Sequence, residues 1–185
     1  PAQRDNPRLQ RIGWLYALSG LLNAVWLFMW HYDLLPLSVV VMLALLVTLI
    51  AIYVRLNIGR AQVPLVEKWC VNIPFSVYLG WISVATIANI TDLLYAWRWN
   101  GFGIAPEMWA VIMLVVATLL GLTMTWMRGD VAFLLVSVWS FIGIAVKQAS
   151  IPWVANSAWV MTVLVALMIP LGIFYRRKSV ASVLG

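Results

Sequence analysis

The sequence predicts an all-α, polytopic helical membrane protein with about six transmembrane helices, and three observations carry that expectation. Of 185 residues, 64% are hydrophobic and only 10% are charged, and the mean hydropathy is +0.97, a balance outside the range of ordinary soluble domains. The apolar residues form runs of about 20, the length at which a helix crosses the hydrocarbon of a bilayer. The basic residues fall in the loops and tails flanking those runs. The net charge of +6 is therefore explained by membrane topology rather than by nucleic acid. A single cysteine, Cys70, and a single histidine, His31, exclude an internal disulfide and a Cys/His metal cluster.

Taken in order, residues 1–12 are polar, carry Arg4, Arg8 and Arg11, and read as a cytoplasmic tail or a link from further helices. The first helix is expected over residues 13–30. It aligns Tyr16, Gly20, Asn23, Trp26 and Trp30 on one face at the 3-and-4 spacing of a helix. The short break His31-Tyr32-Asp33 makes the second helix, 36–56, its antiparallel neighbour. Pro36 suits a first turn, where its missing N–H costs nothing. The rest of that helix is apolar all round and suits lipid contact.

The longest loop, 57–68, holds Arg60, Pro64, Glu67 and Lys68, and the third helix follows over 70–97. Its stripe is Tyr78, Trp81, Ala85, Asn89 and Asp92: two aromatic rings, a small gap, an amide and a carboxyl. Polar groups in hydrocarbon are costly without partners, so this stripe should face protein, ligand or water. Plain helix packing satisfies the same demand, because small and polar residues hold membrane helices together. After a turn at 98–103 come helix 106–127, a tight turn with Asp130 as N-cap, and helix 131–146. That last one is short for a span, with Lys147 and Gln148 reaching back to the interface. Pro152 opens a final helix to residue 175, with a kink expected at Pro170. The chain thus divides into a polar tail (1–12), a three-helix region (13–97), three further spans (98–176) and a basic tail (177–185).

Ten of the twelve Lys and Arg residues share one side of this six-span arrangement, and only Arg98 and Lys147 lie on the other. The positive-inside tendency then places both termini in the cytoplasm, in a bacterial cytoplasmic membrane. Most of the twelve tryptophans lie at helix ends, where an interfacial belt accounts for them. Trp26, Trp81, Trp139 and Trp159 lie deeper. Aromatic walls with a few polar groups suit a flat apolar ligand that must be oriented. Asn23 and Asn89 suit either a bond to each other between the first and third helices or contact with such a ligand.

The run Tyr78-Leu79-Gly80-Trp81-Ile82-Ser83-Val84-Ala85-Thr86-Ile87-Ala88-Asn89, with Pro74 upstream, resembles the last-helix motif of the translocator protein / tryptophan-rich sensory protein (TspO-like) family. Leu22-Asn23-Ala24-Val25-Trp26 is similar to that family's third-helix motif, and the spacing leaves room for one helix between them. The resemblance implies an all-helical membrane fold in which five helices enclose a pocket for porphyrins, sterols and drug-like molecules, often as a dimer. Carried over by motif position, Asn23, Trp26, Trp81, Ala85, Ala88 and Asn89 would line the pocket, with Tyr78 beside them. The family's first two helices and their Trp-x-Pro-Pro loop have no counterpart before residue 13, and three helices follow the motif helix, as in longer bacterial forms.

Enzyme chemistry is not expected, since nothing pairs a nucleophile with a base. His31 beside Asp33 is either an axial ligand to a tetrapyrrole metal or an interfacial residue between Trp30 and Tyr32. Too few charges lie within the spans for a channel or pump. The reading is a membrane protein binding a hydrophobic planar ligand with a sensory or transport role. No cofactor is obligatory, and a porphyrin, haem or other tetrapyrrole is the expected ligand. Lipids, that small molecule, and a homodimer or larger membrane complex are the expected partners, without nucleic acid. The alternative is a structural accessory subunit that uses the same stripes for packing.

Overall fold

The computed structural model describes residues 6–184, with side chains as far as residue 174. Among these, the elements are α1 (Pro7–Gln10), α2 (Gly13–His31), α3 (Leu35–Arg55), α4 (Leu65–Glu67), a π-helical turn Lys68–Asn72, α5 (Ile73–Ala96), a 3-10 turn Gly101–Gly103, α6 (Pro106–Arg128), α7 (Val131–Lys147) and α8 (Pro152–Leu184). The protein is all-α and polytopic. Five helices are long and apolar enough to cross a membrane: α2, α3, the continuous run Leu65–Ala96, α6 and Pro152–Phe174 of α8. The sixth expected span, α7, is apolar but has only 17 residues, roughly 25 Å of helix. Arg4, and the side chains of Arg176, Arg177 and Lys178, lie outside the described residues.

The chain forms two compact units divided between Arg98 and Trp99. In the first, α3 is the central helix, packed along both α2 and α5. This corrects the expectation that 36–56 is a lipid-facing helix. Of the five candidate spans, α3 has the largest buried share, 39%, against 6% for α2. Met42, Leu45, Leu49, Ile52 and Leu56 form the core with Ser38 and Thr48 among them. Hydropathy could not foresee this, because a bilayer and a membrane-protein interior are equally apolar. The middle position of α3 between α2 and α5 encloses one of its faces.

The Leu65–Ala96 run shows why its local geometry changes. Pro74 lacks an N–H, and in a regular α-helix its ring would press on the carbonyl four residues back, Cys70. The π-turn over Lys68–Asn72 widens the backbone just there, and α5 then proceeds as a regular helix.

In the second unit α8 is central and packs against both α6 and α7. The core is built from Leu114, Ala117, Phe133, Leu134, Phe141, Ala158 and Val165. The α6–α7 turn is made as expected, with Gly129 left-handed at φ 57° and Asp130 accepting from the Ala132 and Phe133 amides at 3.1 and 3.2 Å. Buried hydroxyls close onto their own helices, as Thr118, Thr125 and Thr162 do onto the carbonyls four residues earlier.

An aromatic knot opens the second unit, where Trp99 meets both Phe102 and Trp109. Trp109 Nε1 donates to Gly101 O at 2.9 Å. Gly101 has φ +62°, and a Cβ there would stand 3.1 Å from Trp109 Nε1. Gly101→Ala is therefore expected to cost about 1–2 kcal/mol from the left-handed backbone, with further loss if the indole moves off its carbonyl. Thermal unfolding in detergent, followed by tryptophan fluorescence, measures this, and an unchanged midpoint would remove the knot from the stability of the unit.

Candidate ligand-binding site

Every residue assigned to the site by sequence lies in the first unit, on α2 or α5. The face of the Leu65–Ala96 run that the fold buries carries Asn72, Ser76, Leu79, Ile82, Thr86, Asn89 and Leu93, at helical spacings of three and four. At about 100° per residue, the centre of this face lies about 100° around the helix from the expected Tyr78–Trp81–Ala85–Asn89–Asp92 stripe. Only Asn89 belongs to both. Trp81 is 52% exposed, Ala88 and Asp92 are exposed, and Tyr78 and Ala85 are half-buried.

On α2 the expected stripe is also turned largely outward. Tyr16 is 64% exposed, Gly20 and Asn23 are exposed, and Trp26 is half-buried. Asn23 and Asn89 are thus not on facing sides, which corrects the packing expectation. Helix α3 stands where a direct α2–α5 interface was expected, and α2 meets α5 through the edge-on contact of Tyr16 with Phe75, at a centroid separation of 6.2 Å. The physical reason is that the 3.6 period identifies which residues share a face, but not which face the neighbouring helix selects.

Two polar groups of the first unit remain after the packing of its described residues is accounted for. Asn89 is 2% exposed, and its partner is Ser38 of α3, which sequence reasoning did not single out. Ser38 Oγ lies 2.8 Å from both Leu35 O and Asn89 Oδ1, yet a hydroxyl has one hydrogen. If that hydrogen goes to Asn89, the amide Nδ2 has no acceptor. If it goes to Leu35 O and the amide is turned over, Nδ2 donates to Ser38 and Oδ1 has no donor. Either way one end of the amide is unsatisfied in a buried position, at a cost of ~1–3 kcal/mol.

Trp26 Nε1 is the second such group, buried without a partner, with its ring stacked against Trp30 at 6.0 Å. Trp26 lies in the last two turns of α2, Ser38 in the first turn of α3, and Asn89 in the last two turns of α5. Because these helices alternate in direction, all three lie toward the same end of the unit. His31 packs edge-on against Tyr32 there, with centroids 5.2 Å apart.

The other end of the unit holds a polar cluster that the sequence did not reveal. Arg8, expected in a polar tail or a link from further helices, is folded under the helices. Its Nε donates to Leu56 O at 2.8 Å, its Nη2 to Asn72 Oδ1 at 2.9 Å, and its Nη1 forms an ion pair with Glu67. Asn6 Nδ2 also donates to Glu67, at 3.2 Å. Glu67 and Asn72 are each only 4% exposed. The available signal was Glu67 itself, the one acidic residue of the 57–68 loop, set against an apolar run.

No curated protein and no solved structure matches the chain. A family of membrane proteins does, over residues 1–171, so the likeness read from two motifs within 13–97 extends through both units. With this match across nearly the whole of an all-helical, membrane-spanning chain, the protein belongs to the TSPO-like protein family.

Proposed function

We propose that the protein binds a hydrophobic planar ligand, a porphyrin or other tetrapyrrole in the first instance, and senses it or hands it on without turnover. One observation carries the reading. The Trp26 indole N–H and one end of the Asn89 amide are buried, unpartnered, and set toward the same end of the three-helix unit, the end away from the Arg8–Glu67 cluster. A ligand bringing a carboxylate or ring nitrogen to that level would relieve both while its apolar body replaced lipid contacts. Membership of the family supports the same reading. Porphyrin titration in detergent tests it: saturable quenching of tryptophan emission with a shifted Soret band is expected, and linear, unsaturable quenching would end it.

The accessory-subunit reading has an observation of its own. Asn23 lies in the middle of α2 with its side chain outward, an expensive placement against lipid. A homodimer or a larger membrane complex would cover it. Co-purification of a partner at fixed stoichiometry, lost on Asn23→Leu, favours that reading.

Residence in a bacterial cytoplasmic membrane with both termini cytoplasmic is proposed on the distribution of Lys and Arg. In a Cys70→Ser background, single cysteines at Asp33 and Gln62 are expected to label from opposite sides of the membrane. Labelling of both from one side would overturn the orientation.

A further inference from the structure

At the end of the first unit remote from Asn89, α3 finishes at Arg55 and the chain enters α2 just after Arg11. Between them lies a shallow, largely open cleft bounded by Arg11, Val54, Arg55 and Asn57. Arg55 Nη1 donates to Arg11 O at 3.3 Å, which ties the two residues to one site. Glu67, the described acid at this end of the unit, is already engaged by Arg8 and Asn6. The other described carboxylates of the unit, Asp33 and Asp92, lie toward the opposite ends of these helices. Arg8 also holds Leu56 O, so the negative end of the α3 dipole is answered before it reaches the cleft.

A second feature leads into the same place. Val40, Leu43, Val47, Ile50 and Val54 are all exposed, between 42% and 65%, and their alternating spacing of three and four makes one apolar strip along α3. The strip runs along a span and ends at the two arginines. Free phosphate would have use for the guanidiniums but not for the strip.

We propose that this cleft and strip form a binding site for an anionic phospholipid. The shared chemistry is a phosphate oxyanion held by two arginines, whose planar forks suit phosphate. The acyl chain lies along Val54, Ile50, Val47, Leu43 and Val40, which selects a lipid over a free anion. The site is independent of the tetrapyrrole reading and stands at the other end of the unit.

The test uses the full chain in neutral detergent, with bound molecules counted by native mass spectrometry. Phosphatidylglycerol, phosphatidylcholine and inorganic phosphate are titrated separately. Phosphatidylglycerol is expected to bind well above phosphatidylcholine, and inorganic phosphate to bind weakly. The Arg11→Gln/Arg55→Gln variant should lose about 30-fold in phosphatidylglycerol affinity, the scale for two interfacial cations. Arg11→Lys/Arg55→Lys, which keeps the charge without the fork, should lose less than the glutamine variant, and Lys147→Gln, an exposed cation of the other unit, should lose nothing. Equal binding of the two lipids, or unchanged affinity in the glutamine variant, overturns the site. Inorganic phosphate binding as tightly as the lipid assigns it to free anions instead.

Discussion

Arg8→Ala is expected to destabilise the protein by about 3–5 kcal/mol, the cost of leaving a buried charge without its partner. The alanine variant strands the Glu67 carboxylate, whose side chain is 5% exposed, together with Leu56 O and Asn72 Oδ1. Only the Asn6 amide would still reach Glu67. The loss comes from the orphaned carboxylate rather than from the net worth of the ion pair, so removing both charges should be milder. Arg8→Met with Glu67→Leu should recover more than half of the loss. Equilibrium unfolding in detergent, followed by tryptophan emission, compares the three proteins. If Arg8→Ala unfolds with the wild type, the N-terminal turn is not a stabilising part of the fold.

Trp26→Phe and Asn89→Leu are each expected to weaken porphyrin binding by about tenfold, one hydrogen bond's worth in a desolvated setting. Trp26→Phe keeps an aromatic ring stacked on Trp30 and removes the indole N–H, so its stability should fall by less than about 1 kcal/mol or even rise. Asn89→Leu loses the Ser38 bond but also removes an unsatisfied amide end, and these terms oppose each other. Affinity and stability should therefore separate, which a purely packing role cannot produce. Trp81→Ala completes the comparison, with Trp126→Ala as the control at a span end. Trp81 stands on the outward face of α5, so its loss should change affinity little if the ligand lies at the Trp26–Asn89 level. A tenfold loss from Trp81→Ala alone would move the ligand to the outward stripe, where Ala85 and Ala88 leave room for a stacked ring.

What could be read from the sequence follows from strong, local physics. Apolar runs long enough to span a bilayer must be helices, because no other open segment satisfies its backbone there, and the breaks between them hold the charges. Pro36, Pro106 and Pro152 fall in first turns, and Asp130 caps α7, since these preferences act within a few residues. The family motif was equally legible around Trp26, Trp81 and Asn89.

The tertiary structure alone decided which faces are used. It buried one face of α3 between α2 and α5 while leaving the Val40–Val54 strip exposed, and turned the Trp81 side of α5 outward while burying Ser76, Thr86 and Asn89. It also drew Arg8 from a polar segment onto Glu67, which lies 59 residues away in sequence. In a medium as apolar as the protein interior, burial gains little from hydrophobicity itself. The choice falls to close packing of small residues and to pairing of the few polar groups, and both depend on neighbours that no single helix's periodicity can name.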